Sequence, residues 1–195
     1  DIKNARRAYY GQISYIDDKI GNLLKALDDT GMKENTIILF TADHGDMLGE
    51  KGLWYKMSLF EGSARVPLLV HAPQRFTSKR VDTPVSLVDL LPTLLDVTDD
   101  PHYKQPADTM DGQSLVPLLE NGDGEENRTV ISEFLGEGAI APCFMVRKDH
   151  FKYIYSQPDP AQLYDLRSDP EELTNLAGNP DYSHIEKELH QTVLD

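Results

Sequence analysis

The spacing of apolar residues changes along the chain. Ile13, Ile16, Ile20, Leu23, Leu24 and Leu27 recur at threes and fours, which predicts a helix over Ala5 to Asp28 with one apolar face. Gly31 stops it. Ile37, Ile38, Leu39 and Phe40 then form an unbroken apolar run, the pattern of a strand buried on both faces. A helix feeding such a strand is expected to pack on one face of a sheet. Arg65 to Pro73 gives a second buried strand, with Pro67 near its start, where a strand tolerates proline. Val85, Val88, Leu91, Leu94 and Leu95 predict a second amphipathic helix over Val85 to Val97, kinked at Pro92.

Thr98 to Gly112 is rich in Asp, Pro and Gln and reads as loop. Ser114 to Leu119 is a short helical turn, and Asn121 to Asn127 is a solvated connector. The final third changes character. Thr129 to Leu135 is a strand with Glu133 towards its end. Phe144 to Val146 and Phe151 to Tyr155 flank Arg147 to His150 as a hairpin, and Gln162 to Leu166 is a further strand. Asp169-Pro170 is expected to begin a helical turn with proline at its first position, and Ile185 to Leu194 is a terminal helix. Helix–strand alternation thus occupies residues 1–127, and antiparallel β-structure with a terminal helix occupies 128–195.

Composition narrows the function classes. The chain has 195 residues, 39% of them hydrophobic and 27% charged, as in an ordinary globular domain. Its net charge of -14 argues against nucleic acid, whose phosphates it would repel. No apolar run approaches the ~20 residues of a membrane helix, so no membrane partner is expected. The single cysteine, Cys143, leaves no internal disulfide framework and is compatible with a reducing compartment; the cytoplasm is the expected location. Both ends read as cut, since the first methionine is Met32 and helical patterns are under way at each terminus. A fragment of a longer chain is therefore expected, although a trimmed chain would look the same.

The chemistry begins where the first strand ends. Asp43 and His44 stand side by side just past it, followed by Gly45. Ligand sites of open α/β sheets lie outside the carboxyl ends of strands. A carboxylate oxygen beside an imidazole nitrogen is half of a divalent-metal site, and the glycine permits a sharp turn. The plainer alternative makes Asp43 a cap for the next segment and His44 a surface histidine. Met47 to Glu61 follows as a long loop, broken by Gly49 and Gly52 and holding Trp54, Tyr55 and Lys56.

Four stretches in order carry a resemblance. Thr41-Ala-Asp-His-Gly-Asp-Met-Leu-Gly-Glu50, then Lys56, then Glu61-Gly-Ser-Ala-Arg-Val-Pro67, resemble the second half of a type I sulfatase. Leu163-Tyr-Asp-Leu-Arg-Ser-Asp-Pro-Glu-Glu-Leu-Thr-Asn-Leu-Ala177 resembles that family's C-terminal signature. Gly52 to Arg65, together with Glu133-Phe-Leu-Gly-Glu-Gly-Ala139, is most similar to choline sulfatases. The resemblance implies part of an alkaline-phosphatase-like α/β fold: a mostly parallel sheet with helices, then a small antiparallel sheet and a terminal helix. It also implies hydrolysis of a sulfate monoester by a formylglycine made from the cysteine of Cys-x-Pro-x-Arg.

That nucleophile motif is absent. Cys143 is followed by Phe144-Met145-Val146-Arg147 and reads as a buried strand cysteine. The family's early pair of metal-binding aspartates is missing too. By resemblance, Asp43 and His44 are the late pair of metal ligands. The commoner family pattern has Asn at the position of His44; oxygen ligands suit Ca²⁺, and an imidazole admits Mn²⁺. Lys56 matches the lysine that contacts the sulfate, and Glu133 the carboxylate near choline's quaternary ammonium. The expected partner is a small sulfate ester, choline O-sulfate, and a homo-oligomer is compatible. These 195 residues alone are expected to be inactive. The rival readings are another sulfatase, a phosphonate monoester hydrolase, or a non-catalytic module that binds metal or forms oligomers.

Overall fold

The computed structural model describes residues 1–98, 110–122, 128–136 and 138–195. They gather into two compact units, Asp1–Lys56 with Gly62–Phe76, and Met57–Glu61 with Thr77–Asp195. The division falls elsewhere than at residue 127, because residues 77–98 group with the C-terminal sheet. Charge divides with it. The first unit holds ten basic and nine acidic residues, and the second holds nine basic and twenty-four acidic ones.

In the first unit, helix α1 spans Ile2–Asp29, as its periodicity predicts. Strand β1, Ile38–Thr41, is the apolar run, shifted one residue along. Two-residue strands β2, Met47–Leu48, and β3, Trp54–Tyr55, pair antiparallel, as do β1 and β4, Leu68–His71. The mostly parallel pairing is not found among the described strands, all of which pair antiparallel. Nor is β1 buried on both faces. Phe40 is 38% exposed and its cross-strand neighbour Leu69 is 60% exposed. The reason is one of extent. A helix of 28 residues is about 42 Å long. A strand of four residues covers only about 13 Å. The apolar face of α1 therefore buries none of its residues within this unit.

What α1 does hold is the β2–β3 hairpin. Arg6 donates through Nε to the Leu48 carbonyl at 2.8 Å and pairs with Glu50 at 2.8 Å. The hairpin is tightly wound, with Gly49, Lys51, Gly52 and Tyr55 all at positive φ. Met47, 2% exposed, anchors it.

In the second unit, strands β5 (Thr129–Phe134), β6 (Cys143–Lys148), β7 (Phe151–Ser156) and β8 (Gln162–Asp165) form an antiparallel meander in that order. The predicted hairpin is β6–β7, turned through Asp149 at φ 50. Helix α5, Ser183–Leu194, covers the sheet with Ile185 and Leu189 against Val146, Tyr153 and Leu163. His190 Nδ1 lies 3.0 Å from the Tyr153 hydroxyl, a pairing the sequence did not signal. Burial, then Glu186 and Tyr155 nearby, push the Tyr153 phenol up to about 12.

Pro92 does not kink a helix. A short 3-10 turn over Leu87–Asp89 leads into α3, Leu90–Thr98, so the proline sits in the first turn, where no N–H is needed. A Cβ on Gly112 would lie 2.1 Å from the Val88 carbonyl oxygen, so this close approach of two backbones demands glycine. Buried Asp89 ties the region together: it accepts from the N–H groups of Ser86 and Gln113 and pairs with Arg128 at 2.5 Å. Helix α4, Val116–Asn121, is the short turn expected near residue 114. Most of the expected loop from Thr98 to Gly112 and of the connector Asn121 to Asn127 lies outside the described residues.

The stretch after Asp169-Pro170 is a turn, not a helix. The Asp169 carboxylate accepts from the N–H groups of Leu173 and Thr174 at 3.0 and 2.8 Å, offering the backbone a local alternative to helical bonds. Glu172, at φ 55, is thereby turned inward. Its carboxylate meets the Lys152 ammonium at 2.8 Å, and Lys152 also reaches Glu61 at 3.0 Å. Lys152 is completely buried. The other oxygen of Glu172 accepts the Glu61 backbone N–H at 2.8 Å.

Candidate active site

Three of the four residues singled out in the sequence come together in the first unit. At the end of β1 the chain turns through Asp43, His44 and Gly45. The Asp43 Oδ1 accepts the His44 backbone N–H at 3.0 Å, which fixes the carboxylate and leaves Oδ2 facing outward. Oδ2 lies 3.4 Å from His44 Nε2. His44 Nδ1 lies 2.9 Å from the Gly45 carbonyl oxygen. A carbonyl only accepts, so the ring proton sits on Nδ1 and Nε2 carries the lone pair. The Lys56 ammonium stands 3.1 Å from that same Nε2 and donates to it.

Two glycines make the turn possible. A Cβ on Gly45 would lie 2.2 Å from the Gly62 oxygen, and one on Gly62 would lie 2.8 Å from the Met47 sulfur. The strand-end loop and the Gly62-Ser63 stretch are thus in backbone contact. Buried Ser63 accepts the Gly45 N–H through its carbonyl at 2.8 Å and donates its hydroxyl to the Lys56 carbonyl at 2.5 Å. Tyr9 of α1 hydrogen-bonds Asp46; burial and then that carboxylate raise its phenol. Neither Ser63 nor Tyr9 was expected from the sequence. Small Ser63 gives no periodic signal, and Tyr9, four residues before Ile13, falls on the apolar stripe of α1 and reads there as one more packing residue.

Asp43 and His44 fit a divalent cation as two neighbouring ligands. Ligands about 2.3 Å from an ion and at right angles are about 3.3 Å apart, close to the 3.4 Å between Oδ2 and Nε2. The Gly45 carbonyl holds the ring as metal-binding histidines are commonly held, by a hydrogen bond at the other nitrogen. Among the described residues no group of three or more His, Cys, Asp and Glu side chains is placed to hold a metal, so the pair stands as two ligands.

Glu133 belongs to the second unit. It is exposed near the end of edge strand β5, and its carboxylate makes no hydrogen bond or ion pair among the described residues. Its cross-strand partner is Phe144, which shares its face of the sheet. Cys143 opens β6 as expected but is only half-buried.

A family model, Sulfatase, matches residues 2–100. The choline-sulfatase of Rhizobium meliloti (strain 1021) is 46% identical over 180 residues, covering 92% of this chain and 34% of that protein. Arylsulfatase K of Gallus gallus is 41% identical over 187 residues, covering 91% and 34%. The chain therefore spans about a third of the length of the curated relatives it matches. Among solved structures, the phosphonate monoester hydrolase of Agrobacterium radiobacter superposes on all of this chain and 41% of its own, with a TM-score of 0.83 at 30% identity. The α/β part, the antiparallel sheet and the terminal helix are a portion of the alkaline-phosphatase-like fold. With the family model spanning half of its residues, the chain belongs to the sulfatase family.

Proposed function

We propose that this chain carries part of the active site of a sulfate monoester hydrolase whose substrate is choline O-sulfate. The observation that carries the reading is the convergence on His44 Nε2, which has Asp43 Oδ2 at 3.4 Å and Lys56 Nζ at 3.1 Å. Asp43 and His44 would hold a divalent cation, Ca²⁺ or Mn²⁺, whose chemistry is Lewis-acid polarisation of a sulfate oxygen. The chain's own residues do the rest. The His44 N–H fixes the Asp43 carboxylate, and the Gly45 carbonyl fixes the His44 ring. Lys56 brings a mobile point charge to the same spot, suited to a sulfate oxygen as negative charge grows there. The family's formylglycine nucleophile has no counterpart motif in these residues, so the reading needs one supplied from outside them.

The choline half rests on Glu133 and Phe144. A quaternary ammonium has no N–H to donate. It is recognised by negative charge and aromatic faces, and an unpaired carboxylate beside a phenylalanine offers both. The 46% identity to a choline-sulfatase supports the same substrate.

The test uses the native gene product, assayed with choline O-sulfate, an aryl sulfate and a phosphonate monoester. Choline O-sulfate is expected to be the best substrate, and Asp43→Ala to abolish turnover and lower bound metal. Preference for the aryl sulfate or the phosphonate would replace the choline assignment. Retention of both activity and metal by Asp43→Ala would remove Asp43 from the site.

A further inference from the structure

We infer that Ser63 is a positioning residue that sets the reach of Lys56, an inference that rests on the catalytic reading of Lys56. Lys56 follows strand β3, in the turn that leads to helix α2, Glu61–Ala64. A lysine there has four rotatable bonds, and its backbone must be fixed before its ammonium can be. The fixing contact is the Ser63 hydroxyl, which donates to the Lys56 carbonyl at 2.5 Å. Ser63 itself is 2% exposed, so water does not compete for that bond.

The same residue reaches the metal-ligand loop by a different atom. Its carbonyl accepts the Gly45 N–H at 2.8 Å, and the Gly45–Gly62 backbone contact stands alongside. Ser63 therefore spaces Lys56 from Asp43 and His44 through two separable bonds. The side chain holds the lysine, and the main chain holds the ligand loop. Substituting the side chain removes one bond and leaves the other.

The separation makes the inference testable in the native gene product. Ser63→Ala should lower kcat roughly tenfold to a hundredfold, the scale on which a small misplacement of a catalytic group acts. KM and metal content should change little, because the carbonyl bond to Gly45 survives. The decisive measurement is a double-mutant cycle with Lys56→Ala. If Ser63 acts through Lys56, its substitution costs little further once the ammonium is gone. Ser63→Cys keeps the shape and a weak donor, and should fall between serine and alanine while melting like the parent. Equal loss from Ser63→Ala in both backgrounds would make Ser63 a general structural residue and overturn the inference. So would full kcat in both Ser63 variants. A Lys56→Ala enzyme with unchanged kcat would instead sink the catalytic reading of Lys56, and is distinguishable because it needs no Ser63 variant.

Discussion

Adjacent chemistry is legible in a sequence, and chemistry assembled by folding is not. Asp43 and His44 announce themselves because they are neighbours and follow an apolar run. Lys56, a loop lysine twelve positions later, could be connected to them only through resemblance; its 3.1 Å approach to His44 Nε2 is a product of the β2–β3 hairpin. Ser63 was invisible, since both of its roles depend on groups brought from elsewhere in the chain. Glu133 is the residue whose charge can be tested most cleanly. Close opposite charges at an effective dielectric of ~20 attract by about 4 kcal/mol, and desolvation offsets much of that. Because Glu133 is exposed, screening should leave only about 1–2 kcal/mol, or roughly tenfold in kcat/KM. Glu133→Gln in the native gene product should lower kcat/KM for choline O-sulfate by that amount and leave an aryl sulfate with an uncharged aryl group nearly unchanged. Equal loss on both substrates would show that the residue serves the fold.

At the scale of elements, periodicity found α1, the β6–β7 hairpin and α5, because each is long enough for its apolar pattern to repeat. It failed where side chains compete with the backbone. The Asp169 carboxylate caps Leu173 and Thr174 and replaces the expected helix by a turn that delivers Glu172 to Lys152. Nothing in Phe151-Lys-Tyr-Ile-Tyr says that its lysine faces inward. That lysine is now the strongest test of the C-terminal sheet. Lys152→Ala would take a buried ammonium away from both the Glu61 and Glu172 carboxylates, and should destabilise the native gene product by about 3–5 kcal/mol. Glu172→Gln should cost less, because Lys152 keeps Glu61. Urea unfolding measures both. A loss below about 1 kcal/mol for Lys152→Ala would mean the triad is as wet as a surface pair.

For the molecule as a whole, the sequence conveyed the change from helix–strand to antiparallel structure but not where the units divide. Residues 77–98 join the second unit because Asp89, deep in a helical stretch, is held by Arg128 just ahead of β5. Burial was the other miss. Ile13, Ile16, Leu23, Leu24, Phe40 and Leu69 have the pattern of a core and yet are exposed, because the first unit has no surface long enough to cover them. These 195 residues purified alone should accordingly bind an apolar dye, associate with rising concentration and show no turnover of choline O-sulfate. Turnover that survives controls for contaminating sulfatase would contradict this.

The division of charge bears on how fast an ester could be captured. A body of net charge -14 would ordinarily slow the approach of an anion and hasten that of a cation. Here the unit holding Asp43, His44 and Lys56 has one more basic than acidic residue, and the other unit carries the whole negative excess along with Glu133. Screening confines a surface charge to about 8 Å at physiological salt. By its own count of charges, the first unit would offer an incoming sulfate a nearly neutral landing ground. The isoelectric point of the chain therefore says little about how fast an anion reaches Asp43, His44 and Lys56.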